Sequence, residues 1–123
     1  MRKLLIVDDE DGVRSLVRMT LESDQYEILE ARRGDDALRL VREHMPDLVL
    51  LDVMLPDISG VEVCRTLKAD ERTEPVTILM LTARAQNADL EEAEDAGANG
   101  YFTKPFSPVA LLRRVDKIFG DRT

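Results

Sequence analysis

Short runs of apolar residues alternate along this chain with longer segments in which apolar residues recur at helical spacing. Three runs are apolar at every position: Leu4–Val7, Leu48–Leu51 and Ile78–Leu81. An uninterrupted run of this length predicts a β-strand covered on both faces, as in a parallel sheet. The segments Glu27–Ala31 and Gly100–Thr103 are more polar, which is typical of strands at or near the edge of a sheet.

The intervening segments carry helical periodicity or helix-boundary signals. The Ser59-Gly60-Val61-Glu62 sequence is a capping-box pattern that opens a helix. Asn87 and Gly97 mark another helix, the first as its cap and the second as its stop. Ser107-Pro108 supplies a cap and a proline at the first helical position of a further one. Two earlier helices follow from residues that share one helical face, which are Val13, Leu16, Val17, Thr20 and Leu21 in the first and Ala37, Leu40, Val41 and His44 in the second.

Five strands alternating with five helices predict an α/β fold with a doubly wound parallel sheet. Right-handed crossovers then place helices on both faces of the sheet. Since no segment has the composition of a linker, we expect one domain over residues 1–123. Only Gly120–Thr123 is typical of a frayed end or the start of a tether.

Polar side chains stand at the carboxyl ends of the predicted strands. Asp8 and Asp9 follow the first strand, Asp52 follows the third, Thr82 ends the fourth and Lys104 follows the fifth. Ligands bind at this edge of doubly wound sheets. Clustered carboxylates repel one another, and a lysine together with a divalent cation such as Mg²⁺ can offset that repulsion. These are the groups that phosphoryl transfer uses, and a carboxylate is a competent nucleophile for phosphorus.

Four fragments of the sequence, in this order and at these spacings, resemble the receiver domain of response regulators. The resemblance extends over essentially the whole chain, and it implies the flavodoxin-like strand order 2-1-3-4-5. The fragments are Leu5-Ile6-Val7-Asp8-Asp9-Glu10, Leu50-Leu51-Asp52-Val53-Met54-Leu55-Pro56-Asp57 with Ser59-Gly60, Leu79-Met80-Leu81-Thr82-Ala83, and Tyr101-Phe102-Thr103-Lys104-Pro105-Phe106.

The resemblance implies a phosphoacceptor and a Mg²⁺ site. Asp52 would accept the phosphoryl group from a phosphohistidine. Asp9 would bind the metal directly, Asp8 would act through water or hydrogen bonds, and Met54 would contribute its backbone carbonyl. The domain would assist its own phosphorylation and a slow dephosphorylation without being an enzyme in the ordinary sense.

The resemblance also implies a set of groups that respond to the phosphoryl group. Lys104 would pair with Asp52 and then with a phosphoryl oxygen, and the Lys104-Pro105 bond would be cis. Thr82 would close onto the phosphoryl group beside the Ala83 amide, while Tyr101 would move between outward and inward rotamers.

Two positions that tune the site in this family are occupied here by Met54 and Arg84. Both side chains are long enough to shield the phosphoryl group from water. The sequence therefore predicts an aspartyl phosphate that is not unusually short-lived.

Composition narrows the compartment and the partners. A net charge of −8 argues against direct nucleic-acid binding by this domain. Cys64 is the single cysteine, so no intrachain disulfide can form and a reducing compartment is expected. No apolar stretch approaches the ~20 residues of a membrane span, and we expect a soluble, cytoplasmic protein. The lone His44 is interpreted as a surface or capping group.

The expected phosphoryl donor is a sensor histidine kinase or a histidine phosphotransfer protein. The sequence leaves the output of this chain open. The chain is either a stand-alone receiver or the receiver portion of a longer DNA-binding transcriptional regulator. The face formed by the fourth helix, fifth strand and fifth helix is expected to switch and to bind a downstream protein or a second copy. The usual dimer pairing is in doubt because the fourth helix is acidic, with Asp89, Glu91, Glu92, Glu94 and Asp95.

Other functions fit the residues less well. A phosphatase with an aspartyl-phosphate intermediate requires a second Asp at the position that Met54 occupies here. A flavin- or nucleotide-binding module would want a Gly-rich loop where Asp8-Asp9-Glu10-Asp11 stands. A degenerate receiver that acts as a scaffold is disfavoured because every chemical position is filled.

Overall fold

The polypeptide forms strands and helices in strict alternation. The computed structural model describes residues 2–23, 25–83 and 87–120, and the side chains of residues 87–90 lie outside that description. The strands are β1 (Arg2–Val7), β2 (Tyr26–Ala31), β3 (Leu48–Asp52), β4 (Thr77–Thr82) and β5 (Gly100–Thr103). The helices are α1 (Asp11–Leu21), α2 (Gly34–His44), α3 (Gly60–Ala69), α4 (Asn87–Asp95) and α5 (Pro108–Gly120).

The strands form one parallel sheet in the order β2-β1-β3-β4-β5, which confirms the predicted flavodoxin-like topology. Every residue of β3 is buried, as its uninterrupted apolar sequence predicts for a strand in the middle of the sheet. The more polar β2 and β5 occupy the two edges. The register brings Asp52 opposite Leu81 and Thr82 opposite Thr103, so the polar strand ends lie at one edge of the sheet.

The core consists of two apolar layers, one on each face of the sheet. Successive residues of β1 contribute to opposite layers, because side chains alternate between the faces of a strand. Leu5 and Val7 pack with α2, α3 and α4, whereas Leu4 and Ile6 pack with α1 and α5. The sheet is therefore covered on both faces, and its carboxyl edge is left to the loops.

The helix boundaries largely follow the signals in the sequence. Ser59 caps α3 by accepting a hydrogen bond from the Val61 amide at 3.1 Å. Ser107 accepts one from the Ala110 amide at 3.3 Å and so caps α5. Gly97 has a φ of 96°, the left-handed conformation of a helix stop, although α4 itself ends at Asp95. Asn87 is the first helical residue of α4, and its predicted capping side chain lies outside the described residues.

The buried face of α1 differs from the predicted one. Arg14, Val17 and Leu21 are its buried residues, while Leu16 is 38% exposed. Arg14 is buried against the sheet because its guanidinium donates hydrogen bonds to the Asp8 carbonyl and to Glu30. An apolar-periodicity argument does not detect an arginine that is buried in this way.

Among the described residues, no helix has both the length and the apolar character needed to cross a membrane.

Candidate functional site

Asp52 lies at the centre of the carboxyl edge of the sheet. It is the last residue of β3, and its side chain is only 5% exposed. The backbone amide of Met54 donates a hydrogen bond to Asp52 Oδ1 at 3.2 Å. The second carboxylate oxygen, Oδ2, faces the ammonium group of Lys104 at 3.3 Å. A buried carboxylate thus projects from the most enclosed strand of the sheet towards the ammonium group of Lys104.

Lys104 joins acidic residues that come from different strand ends. Its Nζ donates to Asp8 Oδ2 at 2.6 Å and lies 3.7 Å from Glu10 Oε1. Its backbone amide donates to the Thr82 carbonyl at 2.7 Å, which ties the chain after β5 to the end of β4. The Lys104-Pro105 peptide bond is cis, as the resemblance implies. The structure therefore brings together Asp8, Asp52 and Lys104, as the sequence predicts.

The loop after β1 supplies a compact group of carboxylates. One carboxylate oxygen from each of Asp8, Asp9 and Glu10 can be chosen so that all lie within 4.8 Å of one another. Asp8 is fully buried, whereas Asp9 and Glu10 are exposed. The Glu10 amide donates to Asp8 Oδ1 at 2.9 Å, which fixes the turn. The sequence analysis did not place Glu10 among the metal-binding residues, and the structure adds it to this cluster.

Burial and charge perturb the titrating groups of the pocket. Burial raises the pKa of Asp52 to about 6, and the negative charge of Asp8 adds to that shift, while Lys104 and the Met54 amide act in the opposite direction. Burial alone would lower the pKa of Lys104, but its hydrogen bond to Asp8 and the charges of Asp52 and Asp8 raise it. The lysine therefore stays charged, and the pocket still favours additional positive charge near Asp52.

The donor set fits a hard divalent cation. The available ligands are carboxylate oxygens and backbone carbonyls, with no sulfur or imidazole in the described acidic cluster. Mg²⁺ prefers a few such oxygens together with waters and a phosphate oxygen. The pKa of Asp52 is raised first by burial and then by the negative charge of Asp8, and a cation bound by the neighbouring carboxylates would favour the ionised form of Asp52 against both. The residues present are therefore chemically suited to hold Mg²⁺.

The remaining predicted site residues surround this group at different distances. Thr82 is buried at the end of β4. Ala83 is exposed and, with Glu10 and Lys104, lines a cleft of about 370 Å³. Tyr101 is 46% exposed on β5, at the edge of the sheet. Met54 is 74% exposed beside Asp52, whereas Arg84, its predicted companion in shielding, lies outside the described residues.

Arg14 supports the acidic turn from below, a role that sequence reasoning missed. Its side chain is 10% exposed, and its Nη1 donates to the Asp8 carbonyl at 2.7 Å. Its Nε donates to Glu30 at 3.1 Å, and Nη2 pairs with Asp11. One guanidinium therefore links α1, the end of β1 and the end of β2. The spacing of Arg14 with Val17 and Leu21 was the available signal, since all three share one face of α1.

The segment after Asp52, residues 53–59, forms a closed turn that we call the acceptor loop. The Gly60 amide donates to the Val53 carbonyl at 2.9 Å, and the Val53 amide donates to the Leu81 carbonyl at 3.0 Å. Gly60 is required here, because a Cβ at this position would lie 2.0 Å from the Asp52 carbonyl oxygen. Further along the loop, Asp57 reaches α2, where it accepts hydrogen bonds from the first helical amides. The acceptor loop is thus fixed at both of its ends.

Comparison with known proteins identifies the family of this chain. The model of the response regulator receiver domain matches residues 4–116. The phosphate regulon transcriptional regulatory protein PhoB of Pseudomonas aeruginosa is 42% identical over 117 residues, which cover 95% of this chain and 51% of that protein. This chain therefore spans about half the length of the curated relatives it matches.

Solved structures agree with the family match. A putative response regulator from Chloroflexus aurantiacus is 37% identical with a TM-score of 0.89, and the match covers 97% of this chain and 98% of that one. A structure described as the BeF3-activated DrrB receiver domain is 34% identical with a TM-score of 0.88, and the match covers 98% of each chain.

Proposed function

This chain belongs to the response regulator receiver domain family, and from that premise we propose that Asp52 accepts a phosphoryl group from a phosphohistidine. Receiver domains are signalling domains of two-component systems, not enzymes in the ordinary sense. The observation that carries the proposal is the position of Lys104, whose Nζ lies between Asp8 at 2.6 Å and Asp52 at 3.3 Å. This cation can hold the free carboxylate and then pair with an oxygen of the incoming phosphoryl group.

The proposed transfer exchanges one bond to phosphorus for another. An oxygen of Asp52 donates an electron pair to phosphorus, so a P–O bond forms while the P–N bond to the donor histidine breaks. The donor phosphohistidine carries a proton on its other ring nitrogen before transfer. The electrons of the P–N bond stay on the nitrogen that held phosphorus, so the histidine leaves as neutral imidazole. The buried position of Asp52 and the hydrogen bond from the Met54 amide orient the attacking carboxylate.

Asp8, Asp9, Asp52 and the Met54 carbonyl would hold Mg²⁺ in this proposal. When bound, the ion supplies positive charge that neutralises the carboxylates and the phosphoryl oxygens. The close group formed by Asp8, Asp9 and Glu10 supports this assignment and suggests that Glu10 contributes through water. The same groups assist self-phosphorylation from small donors and a slow dephosphorylation.

The switch residues are assigned from their positions on β4 and β5. We place the Thr82 hydroxyl and the Ala83 amide on the phosphoryl group because both lie at the carboxyl end of β4, next to the strand that carries Asp52. Tyr101 is proposed to leave its exposed position when Thr82 shifts. The response would reach the face made by α4, β5 and α5.

The proposed partners are a sensor histidine kinase or a histidine phosphotransfer protein as donor. The relatives are transcriptional regulators about twice as long as this chain, which supports transcription as the output of the protein in which this receiver works. The α4-β5-α5 face is the proposed contact for a downstream protein or a phosphorylation-dependent homodimer. Sedimentation with and without beryllofluoride tests it: no change in mass and no change in partner binding would contradict this part.

Intact-mass spectrometry tests the phosphoacceptor directly. The protein is incubated with phosphoramidate or acetyl phosphate, with and without Mg²⁺, and the mass of the chain is measured over time. We expect one phosphoryl adduct that depends on Mg²⁺ and is absent in Asp52→Asn. Lys104→Met should form it much more slowly.

Asp70→Asn serves as a control, since it removes a carboxylate that lies at the far end of α3 from the acceptor loop and does not receive the phosphoryl group. It should retain an adduct that maps to Asp52. An adduct that persists in Asp52→Asn, or a wild type that binds Mg²⁺ and forms no adduct, would refute the proposal.

A further inference from the structure

The start of α2 is capped by a residue that is distant in sequence. Arg33 occupies the position before the helix, and its side chain makes no capping hydrogen bond. Asp57 supplies the cap instead: Oδ1 accepts from the Gly34 amide at 2.8 Å and Oδ2 from the Asp35 amide at 2.9 Å. A helix start leaves amides without helical partners, so a carboxylate with two such bonds is firmly held. Asp57 is therefore attached to α2 as well as to its own loop.

Apolar packing supports the same connection. Gly34 lies so close to Ile58 that a Cβ on Gly34 would be 2.4 Å from Ile58 Cγ1. Arg33 adds a guanidinium 4.0 Å from Asp57 Oδ2. The contact between the acceptor loop and the start of α2 thus combines two charge-assisted hydrogen bonds, a weak ion pair and tight packing. It fixes the distal half of the loop to an element outside the phosphoacceptor strand.

The proximal half of the same loop belongs to the reaction site. Met54 donates its amide to Asp52 and offers its carbonyl to the metal in the proposed function. Pro56, adjacent to Asp57, lines a cleft of about 450 Å³ together with Asp9 and Arg33. The loop therefore has one end at Asp52 and the other on α2, with Met54 between them.

We propose that Asp57 is a positioning residue that holds the acceptor loop so that the Met54 carbonyl is already placed for Mg²⁺. This inference rests on the proposed function and adds a residue that contacts neither the metal nor the phosphoryl group. Without Asp57, the Met54 carbonyl must be ordered when the metal binds, and the cost of that ordering reduces affinity. Loss of a group that orients a metal ligand typically weakens binding about tenfold or more.

A competing explanation is that Asp57 only stabilises α2 as a cap. In that case its loss would lower global stability and leave Mg²⁺ affinity unchanged in the folded protein. Asp70 offers a matched control, because its carboxylate also accepts a hydrogen bond from a backbone amide, that of Arg72 at 2.9 Å. It is the C-cap residue of α3, at the end of that helix remote from the acceptor loop, and its carboxylate pairs with Arg72.

Calorimetric Mg²⁺ titration of folded wild type, Asp57→Ala, Asp57→Asn and Asp70→Asn separates the two explanations. We expect a dissociation constant about tenfold higher in Asp57→Ala, a smaller increase in Asp57→Asn, which retains one acceptor oxygen, and no change in Asp70→Asn. An unchanged constant in both Asp57 variants overturns the inference. An equal increase in Asp70→Asn overturns it as well, because the effect would then follow general destabilisation.

Amide hydrogen exchange without metal provides a second readout that does not depend on the proposed function. Asp57→Asn should speed exchange of the Met54 and Gly60 amides at least tenfold, while amides of β3 keep their wild-type rates. Unchanged exchange at Met54 and Gly60 overturns the inference. Failure of wild type to bind Mg²⁺ or to form a phosphoryl adduct would instead contradict the proposed function, which the variant-to-wild-type exchange ratios do not test.

Discussion

Gly60 is the position where a single added carbon is expected to disturb both the fold and the site. It is the first residue of α3, and its Cα faces the backbone that follows the phosphoacceptor. A Cβ there would lie 2.0 Å from the Asp52 carbonyl oxygen and 3.0 Å from Val53 Cα. These are backbone atoms of the buried strand end, so no side chain can rotate away to make room.

The size of the effect follows from two opposing contributions. To reach ordinary van der Waals contact, the start of α3 must move from Asp52 by roughly 1.4 Å, which lengthens the hydrogen bond from the Gly60 amide to Val53. Overpacking of this kind costs about 1–3 kcal/mol. Replacing glycine by alanine in a helix stabilises the folded state by about 0.5–1 kcal/mol, which offsets part of that cost. We therefore expect Gly60→Ala to destabilise the protein by about 1–2 kcal/mol.

Gly12→Ala is the control, because no atom lies within 4 Å of a Cβ at Gly12, which is also helical. It should stabilise the protein by about 0.5 kcal/mol. Urea unfolding monitored by far-ultraviolet circular dichroism gives both values, since the chain has no tryptophan. Phosphorylation from phosphoramidate should slow in Gly60→Ala and not in Gly12→Ala. If the two variants were equally stable, the steric argument would be refuted.

Three further substitutions test other contacts. Tyr26→Phe removes the hydrogen bond to Asp116 and should cost about 1 kcal/mol at pH 7. Burial and then Asp116 raise the pKa of Tyr26 to about 12, so this contribution is fully present below the ordinary tyrosine pKa of about 10 and is lost as pH rises from there through 12. Denaturant melts from pH 7 to 11 should show the difference in stability between wild type and Tyr26→Phe beginning to close at the highest pH. A difference that stays constant would contradict this. Arg14→Met should lower the free energy of unfolding in urea by about 2–3 kcal/mol. Adding Glu30→Met should restore part of that stability, because it removes the carboxylate left without its partner. If the losses of the two substitutions were additive, the ion pair would not be the cause. Lys104→Met should lose about 2–4 kcal/mol of stability without metal. In thermal melts Mg²⁺ should stabilise this variant more than it stabilises wild type, because the ion and the lysine neutralise the same carboxylates. An equal gain from Mg²⁺ in both proteins would argue against that.

The central chemistry of the site was predictable because the topology is strongly encoded. Apolar runs that are buried on both faces identify parallel strands, and parallel strands end at a common edge. Asp8 and Asp52 follow such runs, whereas Lys104 follows the more polar β5, and its pairing with Asp52 was implied by the family resemblance. In the structure Lys104 Nζ lies 2.6 Å from Asp8 and 3.3 Å from Asp52, so the three side chains meet. The metal ligands and the switch residues stay predictions, since their assignment depends on what binds there.

Contacts that depend on tertiary structure were not predictable from local pattern. Asp57 caps a helix that begins 23 residues earlier in the chain, so no capping motif contains both partners. Arg14 is buried because carbonyl and carboxylate groups from other elements satisfy its guanidinium. Hydrophobic periodicity records only apolar burial and therefore placed Leu16, not Arg14, on the inner face of α1.

The position of Lys104 at the end of an edge strand has a thermodynamic consequence. The two carboxylates that attract it are anchored on β1 and β3 in the middle of the sheet, whereas β5 is a four-residue strand paired only with β4. Local opening of β5 would withdraw the cation and leave the two anions facing each other, so their repulsion is part of the free energy that keeps β5 closed. Any ligand that neutralises these anions relieves that repulsion and therefore lowers the free energy needed to open β5. By linkage, the stability of one sheet edge and the occupancy of the pocket are then one coupled equilibrium.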